Sequence, residues 1–276
     1  VTAVVRALTR ADIPAAMRIK EAAGWNQTET DWHNLLQLAP ETCFCLECGG
    51  SLAATATAAC YERRLAWIGM VLTDPAYRRR GFARQLMEHA IVALAARRME
   101  WIKLDATGAG APLYRQLGFE PECGIERWAS TAAQAGVPGM PDLSWQDRCS
   151  ALDRQAFGAA RSQLLAVLAP LGAAAVADQG YAMARPGSQA AYFGPCVSRQ
   201  PETARELLAW FLARHPRGPV YWDLLPHNTE AVRLARACGF APLRRLVRMV
   251  RRGVPDAPPL GHDDSQVFAT AGFEFG

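Results

Sequence analysis

The chain has no run of about 18 apolar residues, which argues against a membrane-spanning helix. Its opening, Val1–Arg6, is too short an apolar stretch for a secretory signal, and no signal-like processing site follows. A cytoplasmic protein with no membrane partner is therefore expected. Lysine is nearly missing: all but two of the 30 Lys+Arg residues are arginine, and the net charge is only +4. This surplus suits an anionic ligand but lacks the dense basic stripe or recognition motif of a nucleic-acid binder, so no nucleic-acid partner is expected. The strongest basic run, Arg244 to Arg252, reads as a strand with a solvated arginine face. Paired C-x-x-C units are also missing. Of the eight cysteines, Cys43, Cys45 and Cys48 cluster, but Cys43-Phe-Cys45-Leu alternates like a strand and no second set of zinc-ligand spacing follows. No metal is expected.

What is present is a core. Half of the 276 residues are hydrophobic and 20% are charged, the profile of a globular protein of one large or two ordinary domains. An internal repeat favours two. Gly118-Phe119-Glu-Pro121 recurs as Gly239-Phe240-Ala-Pro242. Each copy follows an amphipathic helix, and each helix follows a short strand ending in aspartate, at Asp105 and Asp223. The spacing is too long for a solenoid. The small-residue, Gly- and Pro-containing stretch between the copies reads as a linker. The expected division is a first domain at 1–129, a linker at 130–145 and a second domain at 146–276.

The segment from Ile68 to Arg84 carries the chemistry. An apolar strand leads through Thr73-Asp74-Pro75 into Arg78-Arg79-Arg80-Gly81, and a helix follows. In that helix Ala83, Leu86, Met87, Ala90, Ile91 and Leu94 form one apolar face. The first N–H groups of a helix lack backbone acceptors and carry the positive end of its dipole. A glycine there lets a phosphate approach closely, and three arginines add charge. This is the physics of a diphosphate cradle.

Arg78-x-x-Gly81-x-Ala83 resembles the (Gln/Arg)-x-x-Gly-x-(Gly/Ala) signature of the GNAT superfamily of N-acetyltransferases. A second block, Leu104-Asp105 through Pro112, Tyr114 and Gly118-Phe119, resembles that family's strand 5, helix 4 and following turn. With Gly24-Trp25-Asn26, Ala151 to Arg161 and the closing Ala271-Gly-Phe-Glu-Phe, the whole chain is similar to the YitH-like group of double-domain GNAT proteins. The resemblance implies an α/β fold of two tandem domains, each a mostly antiparallel sheet flanked by helices. It implies acetyl-coenzyme A as co-substrate. Met70, Val71, Leu72 and Thr73 would pair with the pantetheine arm. Arg78, Arg79, Arg80, Gly81, Phe82, Ala83 and Arg84 would hold the diphosphate. Tyr114 would be the general acid, although a helix tyrosine packed on its ring is the simpler alternative. The acceptor would be the primary amine of a small or amino-acid-like molecule. Glu29 and Asp31 are the candidates to take its proton, with Glu62 as a further carboxylate bordering the same region. The protein would act as a monomer or homodimer. A non-catalytic acyl-CoA sensor or interaction module is the alternative function.

The second half departs from the pattern. Ser198 to Ala204 contains no Arg-x-x-Gly-x-Ala, and the position matching Tyr114 is Ala235. This half is expected to keep the fold without the catalytic machinery. Asn228 is expected to cap a helix. Tyr181, Tyr192, Tyr221 and Trp222 either line a pocket facing the first half or fill the core.

Overall fold

The computed structural model describes residues 2–130, 145–214 and 218–276. The first half runs β1 (Ala3–Ala7), α1 (Ile13–Ala22), α2 (Glu29–Leu38), β2 (Cys43–Cys48), β3 (Ser51–Tyr61), β4 (Leu65–Thr73), α3 (Phe82–Ala96), β5 (Trp101–Ala106), α4 (Ala111–Gln116) and β6 (Glu120–Ser130). The second half runs α5 (Trp145–Phe157), α6 (Ser162–Leu168), β7 (Ala173–Ala177), β8 (Gly180–Arg185), β9 (Ala191–Ser198), α7 (Pro201–Arg214), β10 (Val220–Leu224), α8 (Thr229–Ala237), β11 (Ala241–Arg252) and β12 (Val267–Ala269). Ser130 ends β6 and Trp145 opens α5; the rest of the expected linker lies outside the described residues.

The fold is a mixed α/β arrangement of two tandem units with helices flanking a sheet. The sheets do not stay separate. They join in the order β1-β2-β3-β4-β5-β11-β6-β10-β9-β8-β7, with β12 added beside β9. In each half the pair before the Gly-Phe turn is parallel, β4 with β5 and β9 with β10. The strand after that turn does not return beside its own half's pair. Instead β6 pairs with β10, and β11 pairs with β5. The two inserted strands pair with each other, placing Leu246 opposite Ile125. Each of these residues lies seven positions after its own turn glycine, Gly118 or Gly239, so a local two-fold axis passes between them.

The aspartates that end β5 and β10 find their purpose here. Asp223 receives two hydrogen bonds of 2.7 Å from Arg127 of β6. Asp105 receives bonds of 2.9 and 3.2 Å from Arg248 of β11. Both pairs are buried, and each links one half's parallel pair to the other half's inserted strand. The arginine run is therefore not wholly a solvated face: Arg244 and Arg245 are exposed, but Arg248 is core. Breaking one partner of such a buried pair costs about 3–5 kcal/mol.

Residues 270–276 form a tail that crosses from the second half into the first. The Trp67 indole donates to the Phe273 carbonyl at 3.1 Å, and the Tyr61 hydroxyl donates to that of Phe275 at 2.7 Å. Arg161, fixed by Asp153, donates to the Gly276 carbonyl at 2.6 Å.

Candidate active site

β4 pairs with β5 only from Leu65 to Ile68. Beyond Ile68 the strands part, so Gly69 to Thr73 has no strand neighbour on that side among the described residues. The register with β3 also shifts here, and Met70 takes a left-handed φ of 49°. A non-glycine residue in that region costs about 1–3 kcal/mol and persists only when its surroundings impose it. Here β3 supplies the restraint: Thr57 Oγ1 donates to the Gly69 carbonyl at 3.1 Å, and Thr55 Oγ1 to the Met70 carbonyl at 2.8 Å. The result is a fixed bulge beside an open backbone edge.

A cavity of about 340 Å³ fills the gap between the strands. Met70, Val71, Thr73, Arg78 and Ala83 line one side, and Asp105, Thr107, Gly110 and Tyr114 the other. Leu72 is buried and Phe82 packs in the core under α3; neither belongs to the lining. Arg79, Arg80 and Gly81, on the loop that joins Arg78 to α3, and Arg84, in the first turn of α3, stand outside the lining too. Arg79 and Gly81 take φ values of 62° and 78°, and Gly81 caps α3 with open space where a Cβ would stand. Arg80 lies over the Tyr77 ring. Arg84 bonds Gln116 of α4, which ties the helix start to the opposite wall. The first turn of α3 thus offers unpaired N–H groups at the cavity mouth.

Tyr114 is buried and lines the cavity, and no hydrogen bond to its hydroxyl is found among the described residues. Burial pushes its pKa above the ordinary phenol value, so it keeps its proton at neutral pH and can serve as a donor.

The carboxylates expected from the helix junction lie elsewhere. Glu29 is exposed on α2, 3.6 Å from His33. Asp31 closes a capping box with Thr28 and pairs with Arg185. Glu62 contacts Ala160 and Arg154 on the surface. None of the three lines the cavity. Helix phase is the reason: Glu29 faces solvent, and the Asp31 carboxylate is drawn to the cap. Two carboxylates line the cavity: Asp105, held by Arg248, and Glu274, from the tail. Glu274 is buried, accepts from Gln27 Nε2 at 2.7 Å and from Arg185 Nη2 at 2.7 Å. Burial pushes its pKa up, with Arg185 opposing the shift. Arg127, Arg244, Leu246 and Phe273 line the same end, so β11 and the tail of the second half close one end of a cavity built mostly by the first. Sequence reading missed these residues because each reaches the site through long-range pairing. One signal was available: Arg127 and Arg248 stand at the same offset from their turn glycines.

Gly69 makes the tail's approach possible. A Cβ there would stand 2.7 Å from the Glu274 Cα and 3.0 Å from its carbonyl oxygen. Gly69→Ala should therefore displace the tail and destabilise the protein by about 1–3 kcal/mol, read as a drop of roughly 2–4 °C in Tm per kcal/mol. An unchanged melting curve would show that the contact relaxes freely.

Two matches to the acetyltransferase (GNAT) domain, one over residues 39–121 and one over residues 149–269, take in most of the chain. The chain belongs to the GNAT acetyltransferases. It is 26% identical over 181 residues to the uncharacterized N-acetyltransferase YitH of Bacillus subtilis (strain 168), a match spanning 60% of this chain and 63% of that relative. Its fold resembles an acetyltransferase of provisional assignment from Pyrococcus horikoshii, with a TM-score of 0.83, 18% identity and coverage of 99% and 96% of the two chains. It also resembles the GCN5-related N-acetyltransferase from Sphaerobacter thermophilus, with a TM-score of 0.70, 19% identity and coverage of 94% and 98%.

Within this GNAT chain the second half closes off its own version of the gap. Gly194 of β9 holds the place that Gly69 holds in β4, one residue past the last parallel pair, and a Cβ there would stand 2.1 Å from the Thr270 carbonyl oxygen. β12 then pairs along Cys196 and Val197, on the stretch of β9 equivalent to the open edge of β4. The second gap is filled by the chain itself. Ala235 is fully buried, and Asn228 caps α8 as expected, accepting from Ala231 N at 3.1 Å. Tyr181, Tyr192 and Trp222 are core, and Tyr221 is half-buried; none lines the cavity. Cys43, Cys45 and Cys48 are buried on β2. The one cluster of metal-ligand type among the described residues is Cys123, His227 and Asp264, with ligand atoms within 4.8 Å of one another, apart from the cavity.

Proposed function

We propose that the protein transfers the acetyl group of acetyl-CoA to the primary amine of a small molecule or an amino-acid-like acceptor by direct attack. One arrangement carries this reading: an open strand edge that ends in the Arg78–Ala83 cradle, with Tyr114 across the same cavity. The backbone edge from Met70 to Thr73 suits an extended amide-bearing arm, as an added strand suits a sheet edge. An N–H group at the bulge would polarise the thioester carbonyl. The co-substrate supplies an activated acyl carbon. The amine nitrogen attacks that carbon, its surplus proton passes to solvent, the carbon–sulfur bond breaks, and Tyr114 regains from solvent the proton it gives up. The departing sulfur takes a proton from Tyr114, because the burial that disfavours a tyrosinate disfavours a free thiolate in the same cavity as well.

A thiol-release assay over a panel of amines tests the transfer, and calorimetry with coenzyme A tests the cradle. Binding without release on any amine would favour a sensor instead. Gly81→Val should raise the coenzyme A Kd at least about tenfold, because a branched side chain at a left-handed position both strains the turn by roughly 1–2 kcal/mol and blocks close approach of phosphate. Unaltered affinity in a folded variant would remove the cradle from the reading.

A further inference from the structure

We infer that the acceptor is an amine that also bears a carboxylate, in the simplest case a free amino acid, bound as a zwitterion with its carboxylate on Arg244 and Arg127 and its ammonium on Glu274 and Gln27. This rests on the acetyltransferase reading and names the substrate class of the same cavity.

The positive pole comes from the inserted strands. Arg127 spends its Nε and Nη2 on Asp223, so that pair is electrically balanced. Arg244 stands opposite Arg127 in the β6–β11 register and lines the cavity. It has no ion pair or side-chain hydrogen bond among the described residues. The side chain is exposed on its outer side, yet partial desolvation and the like charge of Arg127 push its pKa down. An anion between the two guanidiniums relieves that repulsion and leaves no charge unmet. A planar carboxylate matches the guanidinium fork.

The negative pole comes from the tail and the helix junction. Arg185 is one cation shared by two buried carboxylates, at 3.2 Å from Asp31 and 2.7 Å from Glu274. The two carboxylates thus share one bonded guanidinium, while the buried Lys20 and Arg127 act on Asp31 and Glu274 only through space. Gln27 donates to Glu274 through Nε2, while its Oε1 is buried with no partner. Gln27 is 6% exposed and lines the cavity. An orphaned buried acceptor costs free energy until a donor arrives, and an ammonium brings three. Glu274 is then placed to take the proton that the amine must lose before it attacks. Asp31 acts only through Arg185, by sharing its charge.

The test uses the full chain and matched pairs of acceptors: glycine with methylamine, alanine with ethylamine, phenylalanine with phenethylamine, lysine with cadaverine. Within the pairs that react, the amino acid should be preferred by about 100-fold or more in kcat/KM, in line with a charged contact left unpaired in the amine. Arg244→Gln should raise the amino acid KM at least about 30-fold with coenzyme A affinity unchanged. Glu274→Gln should lower kcat and flatten the acid limb of the rate profile, because a carboxyl of raised pKa is lost as a base when the pH falls through it. Simple amines used as well as amino acids, or an amino acid KM indifferent to Arg244→Gln, would overturn the inference. If coenzyme A binds and no acceptor reacts, the transferase reading fails separately. Calorimetry with the same free amino acids then decides: binding weakened by Arg244→Gln sustains the inference, and no binding overturns it.

Discussion

A chain ending at Ser130 is expected not to fold. It would contain every element of the first half, including the cradle and Tyr114, yet β5 would lose β11 and β6 would lose both neighbours. Asp105 would be left in an apolar setting without Arg248, at a cost of about 3–5 kcal/mol. Met249 and Leu246, both buried against the first half's residues, would be gone, at roughly 1.5–3 kcal/mol each. The tail that packs on Trp67 would be gone too. These losses reach the whole stability of an ordinary domain, about 5–15 kcal/mol. Circular dichroism should find no cooperative melting for this fragment, and co-expression with residues 131–276 should restore it. A fragment that melts cooperatively alone would mean that β6 can return beside β5.

Replacing Tyr114 by Phe should lower kcat by about 100- to 10,000-fold, the usual contribution of a positioned acid or base, or roughly 3–5 kcal/mol in the barrier. Coenzyme A affinity and stability should barely change. The hydroxyl has no partner among the described residues, and the ring contact with Phe119, with centroids 6.2 Å apart, survives in phenylalanine. Steady-state kinetics beside calorimetry separates the two quantities. Full turnover by the variant would take Tyr114 out of the chemistry and leave its alternative, a tyrosine that packs on its ring.

The local features were legible in the sequence. The Arg78–Ala83 loop, the apolar face of α3, the hairpin of β2 and β3 and the cap at Asn228 each follow from residues within a few positions of one another. The tandem fold was legible from the repeated Gly-Phe turns. The partner of β5 was not. Because β6 and β11 are copies of one pattern, with arginine at the same offset, either strand satisfies the alternation and the Asp105 charge. Only the joined sheet distinguishes them. The second of the two cavity carboxylates was hidden for a related reason. Glu274 lies 247 residues from the Gln27 that touches it, and nothing periodic marks it. Glu29 and Asp31 lay nearer in sequence, but capping and helix phase drew them away.

The reciprocal strand insertion also bears on how the chain is made. A ribosome delivers Asp105 and then must add 143 more residues before Arg248 exists to meet it. Until then the nascent first half carries an unclosed sheet margin and an unmatched charge, a condition that invites association with other chains. Two units that look, by descent, able to mature one after the other are bound to a single late closing event. Translation speed and holding factors near the exit tunnel therefore matter more for this chain than for two beads on a string.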